Sequence, residues 1–190
     1  MKTEQSIMMN NTTITRLLHT HRQTRELFKG VYASDQIPVS KPQYKTACYV
    51  LNLDPIRLPG SHWVAVYLNP LGINEYFDSY GLKPSLQSIL KLLGPIYRFN
   101  AEQIQSPLTT VCGQYCIFYV WNKSLGIDME SMISIFSNDY PSNDSLVNRL
   151  IEHEFNVDLD IIEPEFIRSQ ISSKLSRYKI LQISDYSTWD

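Results

Sequence analysis

The segment Gln105-Ser-Pro-Leu-Thr-Thr-Val-Cys112-Gly113-Gln-Tyr-Cys116 places a cysteine where an irregular polar stretch gives way to an apolar run, residues 115–121. The run is long enough for a buried helix, and we predict a helix that begins near Cys112. A thiol in the first helical turn lies at the positive end of the helix dipole and beside unpaired backbone N–H groups, and both favour the thiolate. The segment therefore predicts a nucleophilic cysteine at position 112.

Two neighbours of Cys112 suit the same chemistry. Gln105, on a loop that contains proline, could turn its amide NH₂ toward an oxyanion that the backbone N–H of Cys112 also binds. Gly113 has no side chain and would let a substrate backbone approach closely. The ordinary alternatives are a surface glutamine and a glycine that only interrupts regular structure. Together with Cys112, the pattern predicts Gln105 as an oxyanion-hole donor and Gly113 as a substrate-binding residue.

Upstream, two strand-like runs flank the turn sequence Asn69-Pro-Leu-Gly72. A hairpin with this four-residue loop would place residue 63 opposite residue 78 and residue 62 opposite residue 79. His62 and Asp78 would then be neighbours at one end of the sheet. A carboxylate beside an imidazole fixes its tautomer and stabilises the imidazolium, so the pair predicts a general base and its acidic partner. Taken alone, His62 is more simply a residue at a strand end and Asp78 a turn residue.

Three further side chains have ordinary packing roles. Trp63 is first a core residue, and it would also cover one side of the His62 imidazole and border the substrate. Cys48 and Cys116 lie within apolar runs, where burial raises the pKa of a thiol, so we predict that both are core residues. No four ligands with zinc-like spacing can be assembled, and we predict no metal site.

Length and composition favour one domain, and we predict a single α+β domain over residues 1–190. Of its 190 residues, 43% are hydrophobic, enough to fill a sizeable core. We expect flexibility at residues 1–12 and a C-terminal extension of unknown role at residues 156–190. The net charge of −2 argues against strong binding to nucleic acid. Three cysteines, no apolar run of membrane-spanning length and no signal-peptide pattern predict a reducing, intracellular setting without membrane partners.

Periodicity and turn residues predict the order of secondary structure. Helical stretches are expected within residues 13–29, and a surface loop over Val31–Pro42. The other predicted elements are strands at Thr46–Leu53, Trp63–Leu68, Asn74–Phe77 and Ile96–Asn100, a helix at Pro84–Leu93, two or three helices within Asp128–Phe155, and a last helix around Pro164–Tyr178.

As a set, these motifs resemble the adenovirus protease (adenain) family, which includes the related proteases of Maverick/Polinton elements. Ser61-His62-Trp63 is similar to the family's His-Trp strand, and Tyr76-Phe77-Asp78-Ser79-Tyr80-Gly81 to its acidic residue followed by an aromatic-Gly turn. The segment from Gln105 to Cys116 resembles the family's Gln and Cys-Gly segment. The similarity covers about residues 26–155. Asp78 departs from the Glu common in adenoviral members and is more like the SUMO-specific proteases of the same clan.

The resemblance implies a papain-like cysteine protease core in adenain/SUMO-protease chain order, with a mixed β-sheet flanked by helices. It implies that Cys112 is the nucleophile, His62 the general base, Asp78 its partner and Gln105 the oxyanion-hole donor. It also implies activation by a viral peptide, sometimes disulfide-linked, and by DNA. The acidic chain has no cysteine between Cys48 and Cys112 to receive such a link, so the sequence itself predicts no required cofactor.

The leading functional hypothesis is an endopeptidase of a virus or virus-like element that cleaves capsid or other structural precursors at Gly-containing sites. It would act in the host nucleus or cytoplasm, or be packaged in a virion. The alternative is an isopeptidase that processes ubiquitin-like proteins of the SUMO/ubiquitin type, because the same triad serves and Gly-Gly tails fit the same cleft. A thioester-forming acyltransferase and a binding module with a degenerate site are the remaining hypotheses.

Overall fold

The computed structural model describes residues 9–38 and 45–157, which form one α+β arrangement. The predicted helix at Pro164–Tyr178 lies outside these residues. In chain order the elements are α1 (Asn11–Thr20), β1 (Phe28–Ala33), β2 (Ala47–Asn52), β3 (Trp63–Leu68), β4 (Asn74–Phe77), α2 (Gln87–Leu93), β5 (Tyr97–Phe99), α3 (Cys112–Ser124), α4 (Met129–Ile133) and α5 (Tyr140–Phe155).

The five strands form one sheet in the order β1-β2-β3-β4-β5. The pairs β2·β3 and β3·β4 are antiparallel, whereas β1·β2 and β4·β5 are parallel. Parallel neighbours need a crossover connection, and α2 lies in the connection between β4 and β5. The predicted mixed sheet flanked by helices is confirmed.

The N-terminal region differs from the prediction in two ways. Helix α1 begins at Asn11, two residues before the helical stretches predicted within residues 13–29, because the side chain of Asn10 accepts the N–H of Thr13 at 2.9 Å and caps the helix. A surface loop was predicted over Val31–Pro42, but its predicted start is wrong, because Phe28–Ala33 is a strand that pairs with β2. A bulge next to Gly30, whose φ is +147°, interrupts the alternation of side chains between the two faces of β1. The sequence pattern therefore did not predict this strand.

The β3–β4 hairpin has the predicted strands in a different register. Ala65 pairs with Phe77 and Val66 with Tyr76, so the connection is five residues long rather than four. The side chain of Asn74 accepts the backbone N–H of Asn69 at 2.9 Å, which closes this longer loop. Continued past the strand ends, the observed register places residue 80, not residue 79, opposite residue 62.

Helix α3 is the centre of the larger of two hydrophobic cores. It lies across one face of the sheet and contacts β3, α5, α1 and α4. Every residue from Cys112 to Asn122 is buried, which explains the nearly continuous apolar run. The second core lies on the other face, where α2 covers Leu51, Val64, Val66 and Tyr76. Among the described helices, none is both long and apolar enough to span a bilayer.

Candidate active site

His62 and Asp78 meet at one end of the central hairpin. His62 comes directly before β3 and Asp78 directly after β4, and antiparallel pairing brings these two ends together. Nε2 of His62 lies 2.8 Å from Oδ1 of Asp78. Asp78 is 1% exposed and the His62 side chain 12% exposed, so little water competes for this hydrogen bond.

The backbone around Asp78 holds its carboxylate in place. Oδ1 also accepts the N–H of Tyr80 at 2.8 Å, in a turn that Gly81 closes by donating its N–H to the Asp78 carbonyl. The side chain of Asn100 pairs with both backbone groups of Asp78: Oδ1 accepts its N–H at 2.8 Å and Nδ2 donates to its carbonyl at 2.5 Å. Asn100, which follows β5, therefore fixes the acidic partner of the imidazole. No sequence motif marked it.

Cys112 is the first residue of α3 and is 5% exposed. Its N-cap, Val111, offers no side-chain acceptor, so the first N–H groups of the helix remain for another ligand. The thiol lies near enough to the imidazole of His62 to raise its pKa. Nε2 of His62 is taken by Asp78, and Nδ1 is buried with no hydrogen-bond partner among the described residues, so Nδ1 is the nitrogen left to exchange a proton with the thiol.

These neighbours change the basicity of His62. Burial is the largest single influence and lowers its pKa, but the hydrogen bond to Asp78, the nearby Cys112 and the charges of both groups together raise the pKa to about 9. An imidazole with this pKa is protonated at neutral pH, and an imidazolium beside a sulfur stabilises the thiolate. The three side chains can therefore form the ion pair that thiol nucleophiles use.

Tyr80, rather than Trp63, covers the imidazole. The rings of His62 and Tyr80 are stacked, with centroids 4.8 Å apart and an interplanar angle of 29°. Trp63 is buried in the core beneath α3. The one-residue change in hairpin register accounts for this, because it places residue 80 opposite residue 62. The aromatic-Gly turn after Asp78 was a usable sequence signal for Tyr80.

Gln105 is fully buried, with both ends of its amide engaged. Oε1 accepts the hydroxyl of Ser79 at 2.6 Å, which fixes the orientation of the amide. Nε2 donates to the carbonyl of Thr109 at 3.0 Å and lies 3.3 Å from the hydroxyl of Tyr80. Gln105 thus lies in the same polar cluster as His62 through Tyr80. It is not a surface residue.

The lack of a side chain at Gly113 makes room for Met9. A Cβ there would lie 2.6 Å from Cγ of Met9 and 3.4 Å from Cδ1 of Ile14. Cys48 and Cys116 are both buried, and burial is the largest cause that raises the pKa of each thiol. They are core residues, as predicted. Within the described ranges no group of three or more His, Cys, Asp or Glu could hold a metal ion.

A separate cavity of about 490 Å³ lies between β5 and α4. Tyr97, Phe99, Met129 and Ile133 supply its apolar lining, and Asn100 forms part of its wall. His62, Asp78 and Cys112 do not line it. Asn100 therefore connects this cavity to the backbone of Asp78.

Comparison with known proteins gives similarity of fold only. No protein-family model and no curated protein matches the chain. Among solved structures, the crystal structure of the ASFV pS273R protease is similar, with a TM-score of 0.52 and 18% sequence identity over 80% of this chain and 68% of that chain.

Two further structures are less similar. The selenomethionine form of the same ASFV protease has a TM-score of 0.40 and 23% identity over 62% of this chain and 45% of that chain. The central domain of the uncharacterized Lpg1148 protein from Legionella pneumophila has a TM-score of 0.44 and 15% identity over 78% of this chain and 97% of that chain. The similarity to the first of these structures, the ASFV pS273R protease, is the one that shows a shared fold.

Proposed function

We propose that this chain is a cysteine endopeptidase with Cys112 as nucleophile, His62 as general base and acid, and Asp78 as the partner of His62. The observation that carries the proposal is the 2.8 Å hydrogen bond between His62 and Asp78, with Cys112 nearby at the N-terminus of a buried helix. The pKa of His62, raised to about 9, is consistent with it. A fold shared with the ASFV protease supports it.

In the proposed reaction the Cys112 thiolate attacks the carbonyl carbon of the scissile peptide, and the C=O electron pair moves onto oxygen. The helix N-terminus, through the backbone N–H of Cys112, and the Nε2 group of Gln105 stabilise this oxyanion. One N–H of the Gln105 amide donates to the carbonyl of Thr109. The other N–H makes only a long contact of 3.3 Å with the hydroxyl of Tyr80, and the oxyanion would replace that hydroxyl as its acceptor.

The tetrahedral intermediate then collapses as the C–N bond breaks, and the His62 imidazolium gives its proton to the leaving amine. This leaves a thioester on Cys112. Water attacks the thioester, with His62 as the base that takes its proton, and the cleaved chain leaves as a carboxylic acid. No step needs a metal or a redox cofactor.

The substrates we propose are capsid or other structural precursors of a virus or virus-like mobile element, cut at Gly-containing sites. The motifs shared with the adenain family support this class. We propose action in the host nucleus or cytoplasm or within a virion, with an activating viral peptide as a possible partner.

A diverse peptide library tests the proposal. We would map by mass spectrometry the cuts made by the wild-type protein, by Cys112→Ala, and by Cys116→Ala as the matched control. Cuts beside Gly within internal sequence, made by the wild type and Cys116→Ala only, are expected. Cleavage restricted to Gly-Gly tails of folded ubiquitin-like proteins would assign the isopeptidase function instead, and equal cutting by Cys112→Ala would remove Cys112 as the nucleophile.

A further inference from the structure

Asp144, near the start of α5, is a buried carboxylate for which the proposed reaction has no use. It is 5% exposed. Burial is the largest influence on it and raises its pKa, although hydrogen bonds from Thr109, Tyr115 and Ser106 lower it. None of its hydrogen-bond partners among the described residues is basic. Burying a carboxylate without a cation costs stability, so its hydrogen bonds must accomplish something that an apolar residue could not.

The partners of Asp144 belong to the loop that leads to Cys112 and to the helix that carries it. Both carboxylate oxygens lie 3.3 Å from the backbone N of Ser106. The hydroxyl of Thr109 donates to Oδ2 at 2.7 Å, and the hydroxyl of Tyr115 on α3 donates to Oδ1 at 3.0 Å. One side chain thus joins α5, α3 and the intervening loop.

These contacts fall on both sides of Gln105. Ser106 follows it directly, and the carbonyl of Thr109 accepts its Nε2 group at 3.0 Å. Ile104 precedes it, and its carbonyl accepts Nδ2 of Asn143 at 2.9 Å and lies 3.0 Å from the hydroxyl of Tyr115, whose one proton it shares with Asp144. The position of the Gln105 amide therefore depends on a network centred on α5. The position of Asp78 depends instead on Asn100, next to β5.

We propose that Asp144 is a positioning residue for the oxyanion hole: it holds residues 104–109 so that the Gln105 amide is fixed beside the nucleophile. This inference rests on the proposed protease function. Under this proposal, two separate sets of contacts position the residues of the site. Asn100 and Asp78 control the thiolate through His62, and Asp144 controls the stabilisation of the oxyanion through Gln105.

Asp144→Asn isolates this role. Asparagine has the same size, but its NH₂ group replaces one carboxylate oxygen and would face the hydroxyl of Tyr115 or that of Thr109, so one of these hydroxyls can no longer donate to residue 144. The loop should then loosen while His62, Asp78 and Cys112 keep their contacts. Only those steps in which negative charge develops on the carbonyl oxygen should slow down.

Two probes separate these steps. Alkylation of Cys112 by iodoacetamide needs the thiolate but no oxyanion, whereas a peptide aldehyde ending in Gly forms a hemithioacetal whose oxygen occupies the oxyanion hole. For Asp144→Asn we expect kcat to fall by about 10- to 100-fold and the aldehyde to bind weaker by a similar factor, with KM and the alkylation rate changed by less than about 2-fold. Asp78→Asn should instead slow alkylation together with turnover.

The controls use the same helix and the same loop. Asp139→Asn changes the exposed N-cap acid of α5, whose side chain contacts Ser142, and should leave kcat and aldehyde binding unchanged. Thr109→Val removes the hydroxyl that Asp144 accepts but keeps the Thr109 carbonyl. It should reproduce part of the kcat loss even if Asp144→Asn does not fold.

Equal losses of alkylation and turnover in Asp144→Asn or Thr109→Val, or unchanged kcat in both, would overturn the assignment. Failure of the protease function itself would look different. In that case the wild-type protein would cut no peptide, and its Cys112 would alkylate no faster than that of a His62→Ala variant.

Discussion

Oδ1 of Asp78 accepts both the Nε2 group of His62 and the backbone N–H of Tyr80, each at 2.8 Å. A single carboxylate oxygen thus fixes the imidazole and the residue whose ring stacks on that imidazole. Because Tyr80 also contacts Gln105, the turn that follows Asp78 contacts both His62 and Gln105. The following predictions vary one member of this arrangement, or of the packing that supports it, at a time.

The first prediction concerns pH. The pKa of His62 is raised to about 9, so the imidazolium that must protonate the leaving amine persists at neutral pH and is lost as the pH rises through about 9. We expect kcat/KM to fall above that pH. Asp78→Asn removes a charge and a hydrogen bond that raise this pKa, so the fall should begin at lower pH. A pH profile of kcat/KM for both proteins checks this, and coincident alkaline limbs would contradict it.

A second prediction separates the ring of Tyr80 from its hydroxyl. Tyr80→Phe keeps the stack on His62, whereas Tyr80→Ala removes it. A stacked ring stabilises an imidazolium by about 0.5–2 kcal/mol, equivalent to roughly 2- to 30-fold. Tyr80→Ala should therefore lower kcat/KM by about that factor and move the alkaline limb to lower pH, and Tyr80→Phe should leave the limb in place. Equal shifts in the two variants would mean that the hydroxyl, and not the ring, acts on His62.

Asn100 gives a third prediction. Asn100→Ala leaves the buried N–H and carbonyl of Asp78 without partners, at a cost of about 1–3 kcal/mol in unfolding free energy. Turnover should also fall, because Asp78 is no longer held against His62. Urea denaturation and kcat/KM measure the two effects. Asn138→Ala, at an exposed position, is the control, and unchanged kcat/KM in Asn100→Ala would show that the backbone holds Asp78 unaided.

The last prediction concerns a buried ion pair that attaches α3 to the sheet. Nζ of Lys123 lies 3.1 Å from Oε2 of Glu75, which also accepts the hydroxyl of Tyr119 at 2.7 Å. Lys123→Met would leave the carboxylate buried and unpaired, and we expect a loss of about 3–5 kcal/mol in unfolding free energy.

Glu75→Gln combined with Lys123→Met should recover a large part of that loss, because no uncompensated charge remains. Urea denaturation compares the variants, with Lys91→Met on the exposed side of α2 as control. A double variant as unstable as Lys123→Met alone would show that packing over Tyr67, and not charge, is the main contribution.

Local sequence was enough to predict the elements that carry His62, Asp78 and Cys112. The bounds of β3 and β4 agree with the prediction, and α3 begins at Cys112. Alternating and continuous apolar runs are local signals, and a hairpin joins neighbours in sequence. The position of Cys112 beside His62 needed the packing of α3 on the sheet, which no local pattern specifies.

Other features depend on contacts between distant residues. The hairpin register was wrong by one residue because the side chain of Asn74 closes a longer loop. Tyr80 replaced Trp63 over the imidazole for the same reason. Asn100 and Asp144 act through hydrogen bonds to backbone groups, and any loop can supply such groups, so a single sequence gives no signal for them.

The contact between Met9 and Gly113 bears on how related chains diverge. A side chain at position 113 would occupy the volume that Met9 fills, so the sizes of these two side chains should vary inversely among homologues. The glycine at position 113 then records how the N-terminal segment packs on α3. Variation at this position would be a guide to co-evolution between the segment before α1 and the start of α3.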